Sequence, residues 1–252
     1  MRAIPDKKAT GMKTVAIIQA RMGSTRLPGK VMMPLLGKPM VWHVARRVCE
    51  AQLVDQVIVA IPLKDMTTPL LNACEGLGGK TIALGHNQND LINRYYQIAS
   101  ICGADTIVRV PADNPCVDPD NIDEIVSYYH SLKQPIGDWL VSNLDRNIVG
   151  SGYAGGLGAE VYSMWFLQWL FQNVFDPVQR EHPHKWAVDR GRVKTPVAYG
   201  HLRRPELRFD VNTNEDFDNA RMLYDCLGPN FRSKELIEFV SSPSRRQNFL
   251  TM

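Results

Sequence analysis

The chain is short of the features that most readily assign a function. Its 252 residues hold five cysteines (Cys49, Cys74, Cys102, Cys116, Cys226), an odd number with no CxxC pair. That spacing excludes a disulfide framework and a cysteine-ligated zinc site, and free thiols in a reducing cytoplasm are the simplest account. No apolar run approaches membrane-spanning length, and no apolar signal stretch follows Met1, so a soluble, cytoplasmic protein is expected. The net charge of +3 is too small and too evenly spread for a nucleic-acid binder. The glycine-containing loop after the first apolar run is neither GxxxxGK[ST] nor GxGxxG, and GxSxG and HExxH are missing from the chain. His182-Pro183-His184 has no Cys or further His nearby, too few ligands for zinc.

What the chain does have is rhythm. Val15 to Ile18 and Gln56 to Ile61 are apolar runs of the kind that form buried parallel strands, and Thr81–Leu84 and Asp105–Val110 read similarly. Between them, helices are predicted over 39–51, 67–75 and 89–102, with a further one over 120–131 begun by Pro119. This βαβα alternation predicts an α/β fold, a doubly wound and mostly parallel sheet whose ligands bind at the carboxyl ends of the strands. Residues 1–13 are polar and aperiodic and read as a loose leader. One domain is expected over 14–252, with an excursion at about 134–208 where the rhythm breaks into glycines and isolated aromatics. Met164–Val174 is an aromatic-rich helix suited to core or to a subunit interface. The chain then returns through 193–199 and 207–211 to amphipathic helices over 214–227 and after Ser233.

Three segments carry chemistry. The first, Thr14–Lys30 (TVAIIQARMGSTRLPGK), breaks from a strand into a loop with Gly23, Ser24, Pro28 and Gly29 among Arg21, Arg26 and Lys30. Glycines let backbone N–H groups approach an anion, and fixed cations neutralise phosphate; by composition alone such a loop is also a common solvated turn. In the second, Arg109-Val110-Pro111-Ala112-Asp113-Asn114-Pro115, Asp113 lies just past a strand, either as a ligand group or as a turn cap. The third, Phe209-Asp210-Val211-Asn212-Thr213-Asn214-Glu215-Asp216-Phe217, is a helix start whose Glu215 and Asp216 suit the helix dipole.

The run from Ala20 to Lys30 closely resembles the signature loop of CMP-sugar synthetases, the KDO cytidylyltransferases and above all the spore-coat polysaccharide cytidylyltransferases. The resemblance extends over Val15–Leu227. It implies a Rossmann-like nucleotidyltransferase fold, GT-A-like, with an inserted acceptor and dimerisation segment. It further implies transfer of CMP from CTP to a small-molecule acceptor, such as a sugar acid, with release of pyrophosphate and with Mg2+ as cofactor. Carried onto this chain, Arg21, Lys30 and Asp113 are the catalytic positions. Ala20, Gly23, Ser24, Arg26, Asp90 and Arg94 join them in holding the nucleotide. Asp90 and Arg94 match an Asp-x-x-x-Arg spacing, which equally describes an i,i+4 ion pair. Arg109, Glu160, Arg180, Glu181 and His182 face the acceptor. Asp113, Asp210 and Asn212 are the metal positions; Asn212 stands where the family carries Asp, and brings an amide oxygen without charge. A homodimer is implied. Rival readings are a nucleotidyltransferase with a phosphorylated or phosphonate acceptor, and a GT-A-like glycosyltransferase.

Overall fold

The computed structural model describes residues 11–85, 87–132, 139–143, 152–198, 200–242, 245 and 247–250. In chain order the strands are β1 (Thr14–Gln19), β2 (Pro34–Leu35), β3 (Lys38–Pro39), β4 (Gln56–Ile61), β5 (Lys80–Ala83), β6 (Thr106–Pro111), β7 (Leu140–Ser142), β8 (Glu160–Ser163) and β9 (Val193–Lys194). The α-helices are α1 (Met40–Cys49), α2 (Leu91–Cys102), α3 (Pro119–Ser131), α4 (Met164–Asn173), α5 (Pro177–Glu181), α6 (Pro183–Asp189), α7 (Asn214–Leu227) and α8 (Ser233–Val240).

Seven strands form one sheet in the order β5-β4-β1-β6-β8-β7-β9. β1 pairs in parallel with β4 and β6, while β8 runs antiparallel to both β6 and β7. Because successive strand residues face opposite ways, each apolar strand feeds two cores. Ala16, Ile18, Val59 and Val108 pack under Val44 and Val48 of α1 and Ile122 and Ile125 of α3. Val15, Ile17, Ile58 and Ile107 pack against Ile92, Tyr95 and Ile98 of α2 and Phe166, Leu167 and Leu170 of α4. Truncating one such fully buried side chain to Ala costs about 2–5 kcal/mol. A third cluster joins α7 and α8 to Leu35, Leu207, Phe209 and Val211.

The helix starts are specified locally. Asp90 caps α2 by accepting from Asn93 N, Asp118 caps α3 with Pro119 at its first position, and Ser163 caps α4. Thr213 and Asp216 form a reciprocal capping box on α7. Parallel β1, β4 and β6 therefore end at the same edge, and the loops that follow them share one crevice.

The expectations over 67–75 and at Lys13 need correction. Residues 67–75 are not an α-helix: the segment makes 3-10 turns, with Leu71 N bonded to Thr68 O and Ala73 N to Leu70 O. It is too short, between Pro69 and Gly76, to propagate a regular helix. The expected return through 207–211 is made by isolated bridges from Leu207 to Leu250 and from Arg208 to Gly155. The aromatic helix α4 serves the core, one of its two expected uses: Phe166, Leu167 and Leu170 are buried and Phe171 stacks on Tyr96 at 4.4 Å, while Trp165 is exposed. Lys13, read as leader, is anchored: its backbone N–H donates to Asp105 Oδ2 and its Nζ to Cys102 O. Residues 1–10 of that leader, and Gly137 and Gly150 of the excursion, lie outside the described residues. The cysteines are free thiols.

Candidate active site

A cavity of about 290 Å³ opens at the carboxyl ends of β1 and β6. Its near wall is the loop after β1. There Gly29 turns the chain at φ 71°, a conformation that costs glycine nothing, and its N–H returns to Met22 O at 3.0 Å. That turn launches the 3-10 segment Lys30–Met32 and drives the Lys30 side chain inward, where the residue is only 8 % exposed. Asp65, from the loop after β4, clamps the loop by accepting from Met22 N at 2.9 Å.

Lys30 Nζ ties the three chemical segments together. It donates to Asp113 Oδ2 at 2.9 Å, to Val211 O at 2.6 Å and to Asn212 Oδ1 at 3.2 Å. Arg26 donates to the same Asn212 oxygen at 2.8 Å. Arg21 reaches across the cavity to Glu181 at 3.1 Å. Arg94, 1 % exposed, donates to three backbone carbonyls, those of Leu84, Asn87 and Gln88, and has no carboxylate in contact among the described residues. Burial works against its charge.

The far side is different in kind. Arg109 NH1 stands 2.8 Å from Glu160 Oε2, both side chains almost fully buried. Burial is the largest influence on Arg109 and opposes its charge, but the Glu160 carboxylate, its hydrogen bond and the Tyr95 and Tyr162 hydroxyls together raise the guanidinium pKa. His184 Nδ1 lies 3.3 Å from the other Glu160 oxygen. Arg180 forks onto Asp90 with bonds of 2.9 and 3.0 Å. His182 lines the cavity, its pKa lowered by burial and then by the neighbouring His184, so its imidazole is neutral at neutral pH.

Ala20, Arg21, Ser24, Arg26, Lys30, Arg94, Arg109, Asp113, Glu181, His182 and Asn212 all line this one cavity. Other expected residues do not. A side chain at Gly23 would point at Gln88 Oε1, 2.9 Å from its first carbon, rather than into the cavity. Asp90 and Arg94 make no pair with each other, because Asp90 is committed to its helix cap and to Arg180. Glu160 stands behind Arg109 as its counter-ion. Asp210 faces a neighbouring recess: Arg208 holds it with bonds of 3.1 and 3.0 Å, and it accepts from Asn212 Nδ2. Two residues escaped the sequence reading. Tyr95 lies within the α2 helix pattern and carries no signal of its own, and the sole signal for Gln19 is a polar residue closing a buried strand.

The same residues bear on a metal. Asp113 and the Asn212 amide oxygen flank a single ammonium, so they face a common point. One carboxylate and one neutral oxygen, completed by substrate phosphate, fit a magnesium ion, which seldom uses an all-protein cage. Asp210 does not join them.

A model of the cytidylyltransferase family matches residues 15–226, nearly the whole described sheet and its site. The chain belongs to the cytidylyltransferase family. The spore coat polysaccharide biosynthesis protein SpsF of Bacillus subtilis is 26 % identical over 231 residues, covering 89 % of this chain and 92 % of that protein. The 3-deoxy-manno-octulosonate cytidylyltransferase of Geobacter sulfurreducens is 38 % identical over 116 residues, 46 % of this chain and 45 % of that one. A solved cytidylyltransferase from Leptospira borgpetersenii superposes with a TM-score of 0.83 at 22 % identity, over 96 % of this chain and 98 % of that one. Transfer of a phosphorus-centred group rests on positioning and charge neutralisation more than on covalent chemistry, and five cations line the cavity (Arg21, Arg26, Lys30, Arg94, Arg109).

Proposed function

We propose that this cytidylyltransferase transfers CMP from CTP to a sugar acid or related sugar, the class named for its Geobacter relative, with magnesium as cofactor. The supporting observation is the Lys30 ammonium held between Asp113, Val211 O and Asn212, with Arg26 beside it. The loop cations receive the triphosphate, and Ser24 and Thr25 line the same edge. An acceptor hydroxyl oxygen forms the new bond to the α-phosphorus as the bond to the bridging oxygen breaks and pyrophosphate leaves. The neutral His182 imidazole is available to take the hydroxyl proton. Asp113 and Asn212 would hold magnesium, which when bound neutralises triphosphate charge.

Pyrophosphate release, measured with each of the four nucleoside triphosphates against a panel of sugar acids, tests the reading. The expected result is magnesium-dependent release with CTP and at least one sugar acid. Release with UTP and never with CTP, or only with phosphorylated or phosphonate acceptors, would overturn it.

A further inference from the structure

Gln19, the last residue of β1, lines the cavity and has its amide orientation dictated from beneath. Its Oε1 accepts from Tyr95 OH at 2.5 Å and from Arg109 Nε at 2.9 Å. An arginine nitrogen can only donate, so the amide atom facing Arg109 must be the oxygen. The opposite assignment would oppose two N–H donors. Arg109 is itself fixed by Glu160, and Tyr95 is fully buried, so neither partner can turn away. The amide nitrogen is left at the cavity, with no partner among the described residues.

From this we infer that Gln19 is a substrate-positioning residue, whose locked amide NH2 donates to an uncharged acceptor atom, a carbonyl or hydroxyl oxygen or a ring nitrogen, of the molecule in the cavity. The ligand atom is uncharged because this part of the floor is charge-balanced: Arg109 already has Glu160, and an anion gains more from Arg26 or Lys30 on the loop side. The nucleobase and the acceptor sugar both offer such atoms. The role rests on the proposed reaction only for the choice of probes.

Two variants separate binding from structure. Gln19→Glu keeps an oxygen for Tyr95 and Arg109 but removes the donor. Gln19→Met removes both without adding charge. Calorimetric titration with each of the four nucleoside triphosphates, together with KM for the sugar acid in the pyrophosphate assay, gives the readout. Loss of one neutral hydrogen bond weakens binding about three- to tenfold. If the base is the ligand, both variants lose that factor in nucleotide affinity, and the preference for CTP over UTP shrinks. If the acceptor is the ligand, nucleotide affinity holds and the sugar-acid KM rises. In either case the thermal midpoint of Gln19→Glu stays at the wild-type value. Tyr95→Phe added to Gln19→Met costs no further affinity. Wild-type affinities and KM in Gln19→Glu would overturn the inference, since they would make the amide a structural strut. Wild-type protein that prefers another nucleotide would instead overturn the CTP reading, while the variants still report on Gln19 through that nucleotide.

Discussion

The two sides of the cavity handle charge in opposite ways. On the far side every cation has an acid: Arg109 has Glu160, and Arg180 has Asp90. On the loop side Arg26 is held by an amide oxygen and Arg94 by backbone carbonyls. Five cations line the cavity (Arg21, Arg26, Lys30, Arg94, Arg109) against two carboxylates, Asp113 and Glu181. Counting Glu160 behind the wall as a third, the excess positive charge resides on Arg26 and Arg94. Where the protein completes its own ion pairs, the wall is a scaffold. Where it satisfies only the hydrogen bonds and leaves the charge, the wall is suited to an anionic ligand, and on the proposed function that ligand is the triphosphate.

The largest effect should come from breaking the balanced side. Glu160→Gln strips the counter-charge from the buried Arg109 and should lower unfolding free energy by about 3–5 kcal/mol, measured by urea titration. Arg109→Met combined with Glu160→Leu should recover most of it, because two apolar side chains of similar volume need no pairing. A double variant as unstable as the single would mean that this wall is not a simple ion-pair scaffold. Lys30→Met tests the other side. It removes the ammonium shared by Asp113 and Asn212 and should reduce kcat/KM about 10²–10³-fold, with a folded protein by circular dichroism. A fall below tenfold would show that the loop side is not where phosphate charge is met.

The sequence made one side far more legible than the other, for a physical reason. The loop from Ala20 to Lys30 is a contiguous string, and contiguous strings carry their pattern in one place. Strands β1 and β4 are equally plain, since Val15–Ile18 and Val57–Ile61 are buried on both faces and read as unbroken apolar runs. The balanced side is assembled from pairs far apart in the chain, such as Asp90 with Arg180 and Arg109 with Glu160. Local spacing instead suggested Asp90 with Arg94, which the helix cap at Asp90 overrides. Asp210 misled in the same way: two residues from Asn212, it nonetheless points to the neighbouring recess because Arg208 is there to meet it.

A smaller effect is expected at Asn212, where the loop side keeps its excess of charge. Its Nδ2 donates to Asp210 and its Oδ1 accepts from Arg26 and Lys30, so the amide cannot turn. Asn212→Asp combined with Asp210→Asn restores a donor beside the new carboxylate and adds one negative charge to the cavity. Mn2+ affinity without nucleotide, read by electron paramagnetic resonance, should rise about three- to tenfold, since ligand charge count tunes such sites. CTP affinity without metal should fall. Unchanged Mn2+ affinity would show that Asn212 does not face the cation position.

The smallest effect uses pH to make the two sides alike. The pKa of His182 is lowered, first by burial and then by His184, so the folded chain disfavours the imidazolium. The stability this contributes is full above the ordinary value of 6.5 and erodes as pH falls below it, because the unfolded chain then binds more protons. Protonation also places a cation on the balanced wall, where no carboxylate contacts His182 among the described residues. CTP titrated at about pH 7.5 and about pH 5.5 should therefore show wild-type affinity declining less on acidification than that of His182→Gln. The nucleotide's own phosphate protonation is common to both proteins and cancels in the comparison. Equal declines would mean that the His182 charge is not felt at the triphosphate, and that the two walls act on separate halves of the substrate pair.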